Sequence, residues 1–219
     1  MKVQIYVTNA DDAELCDSAD VDLIGIVVDP LFRTPSSLDL QQAEEVFSRI
    51  SNDKLRVALS MDSSIDTFIG IVEVLHPDIL HVACDLKLLS PNALCETRSR
   101  MKDTDLMLAI PMNGPDPIGL AKAYERCVDF FILDTSDPER TDVGATGQTH
   151  DWSLSAKLVK EISKPIVLAG GLSPENVAEA IQVVKPWGVD SFTKTNRSDL
   201  SMRKDPDLIR SFVDVARTQ

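Results

Sequence analysis

A single (β/α)8 TIM barrel over residues 1–219 is the fold this sequence predicts, on three observations. Eight short apolar runs with strand character recur along the chain. Helix-start chemistry follows most of them, so the order strand, cap, helix repeats. The length of 219 residues suits one barrel, and no low-complexity linker marks a domain boundary.

The runs are Val3–Val7, Asp22–Val28, Leu55–Ser60, Ile79–Ala83, Leu106–Pro111, Asp129–Asp134, Pro165–Ala169 and Val189–Thr193. Parallel strands need helical crossovers and tolerate apolar residues on both faces, which suits such runs. Asp39 with Gln42 has capping-box spacing. Ser90-Pro91, Asp116-Pro117, Ser173-Pro174 and Asp205-Pro206 each set a capping side chain before a proline at the first helical position. A further helix begins near Asp151-Trp152. The alternative is a doubly wound open sheet. That fold wants a glycine-rich first turn, where this chain has Thr8-Asn9-Ala10-Asp11.

Composition narrows the functional classes. A hydrophobic content of 43% supports a substantial core. No apolar run approaches the ~18 residues of a transmembrane helix, so no membrane partner is expected. Met1 leads almost directly into a strand, which predicts no signal peptide. Cys16, Cys84, Cys95 and Cys127 lack paired C-x-x-C spacing, which points to a reducing cytoplasm and away from structural zinc. The net charge of −13 argues against a nucleic-acid partner. An anionic substrate would have to be held by local positive features against that field. No cofactor and no metal are expected, and the expected assembly is a monomer or homodimer.

Three stretches carry candidate chemistry. Phe130 to Trp152 reads FFILDTSDPERTDVGATGQTHDW, a buried strand ending on Asp134 and followed by a long loop. A carboxylate at the C-terminal end of a barrel strand stands where such barrels place chemistry, although a strand-end Asp is also ordinary turn chemistry. Ser136 to His150 is long for a βα connection and carries Gly144 and Gly147, which predicts a lid. Lys164 to Asn176 reads KPIVLAGGLSPEN, where Gly170-Gly171 before a helix start offers an anion site or simply a tight turn. Between Ser191 and Lys204, four basic residues (Lys194, Arg197, Arg203, Lys204) face one acidic residue, Asp199, a local charge of +3. Lys194 at the strand end is the candidate ligand of an anion, while Arg203 and Lys204 read as a solvated face.

These strings resemble the phosphoribosylanthranilate isomerase family, whose members carry LDT and GGTGKTFDW where this chain has LDT and GATGQTHDW. AGGLSPENVAEAI is similar to the turn that cradles the ribose phosphate in that family. Pro186, Gly188, Val189, Asp190, Lys204, Asp205, Ile209 and Phe212 keep its frame PYGVDVSSGVE, then PGxKD and an apolar helix, but Thr193 to Asn196 replace SGVE. The resemblance implies a phosphorylated small-molecule substrate and an Amadori rearrangement of an aminoaldose phosphate to an aminoketose phosphate. It implies phosphate contacts at Gly170, Gly171, Thr193 and Lys194, and substrate contacts at Thr146 and Gly147. Asp134 matches the acid. The N-terminal half departs from the pattern. Thr34-Pro35-Ser36 replaces SPR, leaving Arg33 as the nearest basic substitute, and HVACD replaces QLHGD at His81 to Asp85. The family's strand-1 base is the Cys of KICGIT, and Tyr6 falls at its place. A phenol of pKa ~10 is a weak base near neutrality. Cys84, near the end of the fourth strand, is the other candidate base, against the reading of an inert buried thiol. The expectation is a diverged isomerase with a changed substrate and little phosphoribosylanthranilate turnover. The alternatives are a catalytically inactive phosphate-ligand-binding or regulatory protein, or a Lys194-dependent aldolase-like enzyme.

Overall fold

The computed structural model describes residues 1–29, 34–135, 149–199 and 201–219. Eight parallel strands close into a barrel: β1 (Lys2–Tyr6), β2 (Leu23–Val28), β3 (Leu55–Ser60), β4 (Ile79–Val82), β5 (Asp105–Pro111), β6 (Phe130–Asp134), β7 (Ile166–Leu168) and β8 (Gly188–Ser191). Each strand pairs with the next, and β8 closes the ring on β1 through Gln4 opposite Asp190. A two-residue strand, Ser37–Leu38, extends the end of β2. The helices are α1 (Ala10–Ser18), α2 (Leu40–Phe47), α3 (Ile65–Leu75), α4 (Pro91–Arg100), α5 (Pro117–Tyr124), α6 (Trp152–Glu161), α7 (Val177–Val184) and α8 (Pro206–Arg217).

Period-2 alternation divides the core into two layers. Side chains such as Val3, Ile5, Ile24, Leu108 and Leu133 face outward against the helices. Tyr6, Leu23, Val57, Ile79, Met107, Ile132 and Val167 fill the inside of the barrel. Five of the local helix-start signals hold where they were read. Asp39 and Gln42 form a reciprocal capping box, and Ser90, Asp116, Asp151 and Asp205 accept from backbone N–H groups at their helix starts.

Three expectations are corrected. Ser173-Pro174 opens a turn, and α7 begins only at Val177, because Asn176 Oδ1 takes the Ser173 N–H at 2.8 Å and Asn176 becomes the cap residue. Cys95 and Cys127 form a disulfide, their Cα atoms 4.4 Å apart and 32 residues apart in sequence, a pairing made by the packing of α4 against the turn after α5. Lys204 is no surface charge. It is fully buried, its ammonium donating to Phe192 O (2.7 Å), Thr195 Oγ1 (3.1 Å) and Asn196 Oδ1 (2.7 Å). Arg203 is partly exposed and pairs with Asp11 and Asp12 at the start of α1. Among the described residues no helix is long and apolar enough to cross a membrane.

Candidate active site

The C-terminal ends of β6, β7 and β8 surround a pocket of about 290 Å³, counting its opening to solvent. It is lined by Asp134, Gly170, Gly171, Asp190 and the turn from Ser191 to Thr193, with Leu172 behind. Backbone pairing of β6 with β7, Leu133 opposite Leu168, sets Asp134 beside the Gly170-Gly171 turn. Both glycines adopt left-handed backbone, with φ of 86° and 64°. That conformation favours residues without Cβ and leaves the turn's backbone open to a ligand. Ser191 Oγ donates to Leu172 O at 2.9 Å, tying the end of β8 to that turn. Buried Lys204 holds Phe192, Thr195 and Asn196 from below, so the turn carrying Thr193 and Lys194 is fixed at its base.

The carboxylates differ in setting. Asp134 is partly exposed and accepts the Thr135 N–H at 2.7 Å. Asp190 is buried and takes one hydrogen bond from the Gln4 amide at 3.1 Å. Burial first, and then the charge of Asp134, push the Asp190 carboxyl up to about 8.

Beneath the mouth, Tyr6 and His81 cross the barrel interior, the phenol oxygen 2.5 Å from His81 Nδ1. Burial lowers His81 to about 3, so its ring is neutral. Burial and the charges of Asp190 and Asp134 raise Tyr6 well above the ordinary phenol value, so it holds its proton near neutrality. Held in this way, Tyr6 is a proton-bearing wall of the barrel and not a ready base. Its ring lies over Gly25 of β2, where an added Cβ would sit 2.5 Å from Tyr6 Cε1. Gly25→Ala is therefore expected to destabilise the fold by about 1–3 kcal/mol through overpacking. The cost should largely vanish in a Tyr6→Cys background, which a double-mutant cycle of denaturant midpoints measures. Equal costs in both backgrounds would show that the ring does not impose the glycine.

The pocket thus gathers Asp134, Gly170, Gly171 and Thr193 of the residues singled out in the sequence. Lys194 is exposed on the short 3-10 turn Thr193–Thr195 and does not line the pocket. Cys84 packs in the outer apolar layer, and burial raises its thiol to about 12, which leaves almost no thiolate near neutrality. Arg33, Thr146, Gly147 and most of the stretch Ser136–His150 lie outside the described residues. Asp190 lines the pocket, Gln4 bonds to it and His81 bonds to Tyr6 beneath, and none of the three was singled out as chemistry. Their signal was available: each is a polar residue at an inward position of a largely buried strand.

The sequence model of N-(5'-phosphoribosyl)anthranilate isomerase matches residues 30–215. The chain belongs to the phosphoribosylanthranilate isomerase family. A relative from Methanosarcina mazei, N-(5'-phosphoribosyl)anthranilate isomerase 2, is 33% identical over 99% of this chain and 94% of its own length. The isomerase of Methanopyrus kandleri is 34% identical over 94% of both chains. Solved isomerases from Thermotoga maritima (TM-score 0.81, 24% identity, all of both chains) and Thermococcus kodakaraensis (TM-score 0.78, 29% identity, 100% and 99% of the chains) share the barrel. The chain is an isomerase of this family. The family match begins at residue 30, after β1 and β2, the two strands that carry Tyr6 and Gly25.

Proposed function

We propose that the chain is an Amadori-type aldose–ketose isomerase for a phosphorylated, sugar-derived small molecule other than phosphoribosylanthranilate, with Asp134 as an acid/base group. The carrying observation is one pocket in which the Asp134 carboxyl faces a cradle of Gly170, Gly171 and Thr193. A proton-transfer group across from an anion site is what aldose–ketose isomerisation of a phosphorylated compound needs. The left-handed glycines leave the turn's backbone open to a phosphate, and Lys194 beside the mouth adds charge. A changed substrate is supported by the strand-1 end, where the Tyr6 ring occupies the barrel interior and the family pattern has a thiol. It is supported too by Ala83, at the place of the His in the family's QLHGD. Turnover of phosphoribosylanthranilate itself is the second reading, favoured by the names of the relatives. A Schiff-base role for Lys194 lacks support, since that role needs a desolvated amine and Lys194 is exposed.

A panel of phosphorylated aldoses and aldosamines, phosphoribosylanthranilate included, tests the reading by thermal shift and turnover. A panel member at 100 times its Kd should stabilise the protein by about 2.7 kcal/mol. Phosphoribosylanthranilate turnover in the ordinary range of ~1–10³ per second would remove the changed substrate and leave the second reading. Lys194→Ala is expected to weaken inorganic phosphate binding about tenfold at low ionic strength, the loss of one charged contact. Unchanged affinity would show that Lys194 takes no part in holding phosphate.

A further inference from the structure

We propose that Asp190 is the second acid/base group of this pocket: Asp190 and Asp134 share one proton, Asp190 giving it to the substrate's ring oxygen while Asp134 takes the proton from C2. The inference rests on the isomerase reading above and completes its chemistry from two carboxyl groups, with no thiol and no phenolate.

The geometry comes first. Asp134 ends β6 and Asp190 lies on β8, and both line the one pocket. Asp190 is 7% exposed and forms no salt bridge among the described residues. The titratable groups facing it are Asp134, Tyr6 and Lys204. Tyr6 is bonded to His81. The Lys204 ammonium is engaged by three oxygen acceptors of the β8 turn. Among the described residues, the one side-chain hydrogen-bond partner of Asp190 is the neutral Gln4 amide, whose Oε1 is itself buried and has no partner there. Two carboxylates in a poorly solvated pocket do not both ionise near neutrality, because each disfavours the charge of the other. The proton belongs on Asp190. Asp134 keeps contact with solvent and accepts the Thr135 N–H, which favours its anion, whereas Asp190 has neither advantage. Burial and the Asp134 charge hold Asp190 at about 8, in keeping with that assignment.

For an aminoaldose phosphate the step closes without a co-reactant. Asp190 protonates the ring oxygen as the C1–O bond breaks, and the nitrogen lone pair forms the C1=N bond. Asp134 removes the C2 proton, the C2–H electrons form C1=C2, and the C=N pair returns to nitrogen. The enolamine becomes the ketone when C1 takes the proton from Asp134 and the C2 hydroxyl returns one to Asp190. The pair ends as it began.

The experiment compares wild type with Asp190→Asn, an amide of the same shape that cannot donate a carboxyl proton. Turnover of phosphoribosylanthranilate and of the panel is measured against pH, with inorganic phosphate affinity and thermal stability alongside. The expected result is a kcat loss of about 10²–10⁴-fold with phosphate affinity retained. In wild type, kcat should fall as pH rises through the Asp190 value, because the donor must be protonated. Stability gives a readout independent of substrate. With its folded value at about 8 and an unfolded value of ~3.9, Asp190 binds its proton more tightly in the fold. Its contribution is fully present below the unfolded value and is lost as pH rises through the folded one. Asp190→Asn should therefore gain Tm relative to wild type as pH rises from about 4 to about 8. An active wild type whose Asp190→Asn variant keeps kcat, or a Tm difference that does not change with pH, overturns this inference alone. A wild type that converts no panel member overturns the isomerase reading, and the role of Asp190 with it.

Discussion

Asp134→Asn is expected to lower turnover of the phosphorylated substrate by about 10²–10⁴-fold, the usual worth of one positioned acid/base group. The amide keeps the shape and the mouth position but cannot take or give a proton at the working pH. Its neighbours Gly170, Gly171 and Thr193 are untouched, so inorganic phosphate should bind with near wild-type affinity. The loss should appear in kcat and kcat/KM together, as for a group acting in the transition state. A second effect separates this residue from a structural one. Removing the Asp134 charge removes one of the causes that raise Asp190, so the stability change tied to Asp190 should move to lower pH. Turnover unchanged in Asp134→Asn would place the chemistry elsewhere. The effects of Asp134→Asn and Asp190→Asn need not add, because the two act as a unit.

Lys204→Met is expected to cost about 3–5 kcal/mol, among the largest stability effects of a single change. Methionine matches the length of the side chain but leaves Phe192 O, Thr195 Oγ1 and Asn196 Oδ1 without their shared donor. Each abandoned buried acceptor costs about 1–3 kcal/mol. The ammonium also sits 4.7 Å from the centre of the Phe192 ring, an attraction that methionine replaces only in part. Burial lowers Lys204 to about 8, which tempers the loss, since the fold already strains against its charge. For a chain of this length the expected Tm drop is roughly 6–20 °C. The variant should also bind phosphate less well, because the turn with Thr193 and Lys194 rests on this residue. A Tm within a degree of wild type would mean that the β8 turn holds itself.

The strand and helix order was legible because its signals are local. Apolar runs fixed all eight strands to within two residues of their observed ends, and capping side chains marked five of the eight helices. Asp134 and the Gly170-Gly171 turn were legible for the same reason, as a carboxyl at a strand end and a paired glycine before a helix. What escaped depends on contacts between distant segments. Lys204 looked solvated because it lies in a charged run, and only the fold shows the β8 turn closing over it. The Cys95–Cys127 pair spans 32 residues, so no spacing rule exposes it. Asp190 read as part of a strand, and its raised carboxyl comes from burial first and then from the charge of Asp134 on another strand. Tyr6 drew attention as a replacement for a base, whereas its surroundings protonate it and lock it to His81.

The most direct test of the central claim, that this barrel isomerises a phosphorylated aldose derivative through Asp134, follows deuterium at C2. Phosphorylated aldosamines labelled there, phosphoribosylanthranilate among them, are incubated with wild type and with Asp134→Asn, and the products are read by NMR. Wild type is predicted to convert at least one to the ketose with the label gone from C2, carried to C1 or exchanged with solvent, and Asp134→Asn to do so at least about 10²-fold more slowly. Equal conversion by the two proteins, or conversion of none by wild type, would contradict the account.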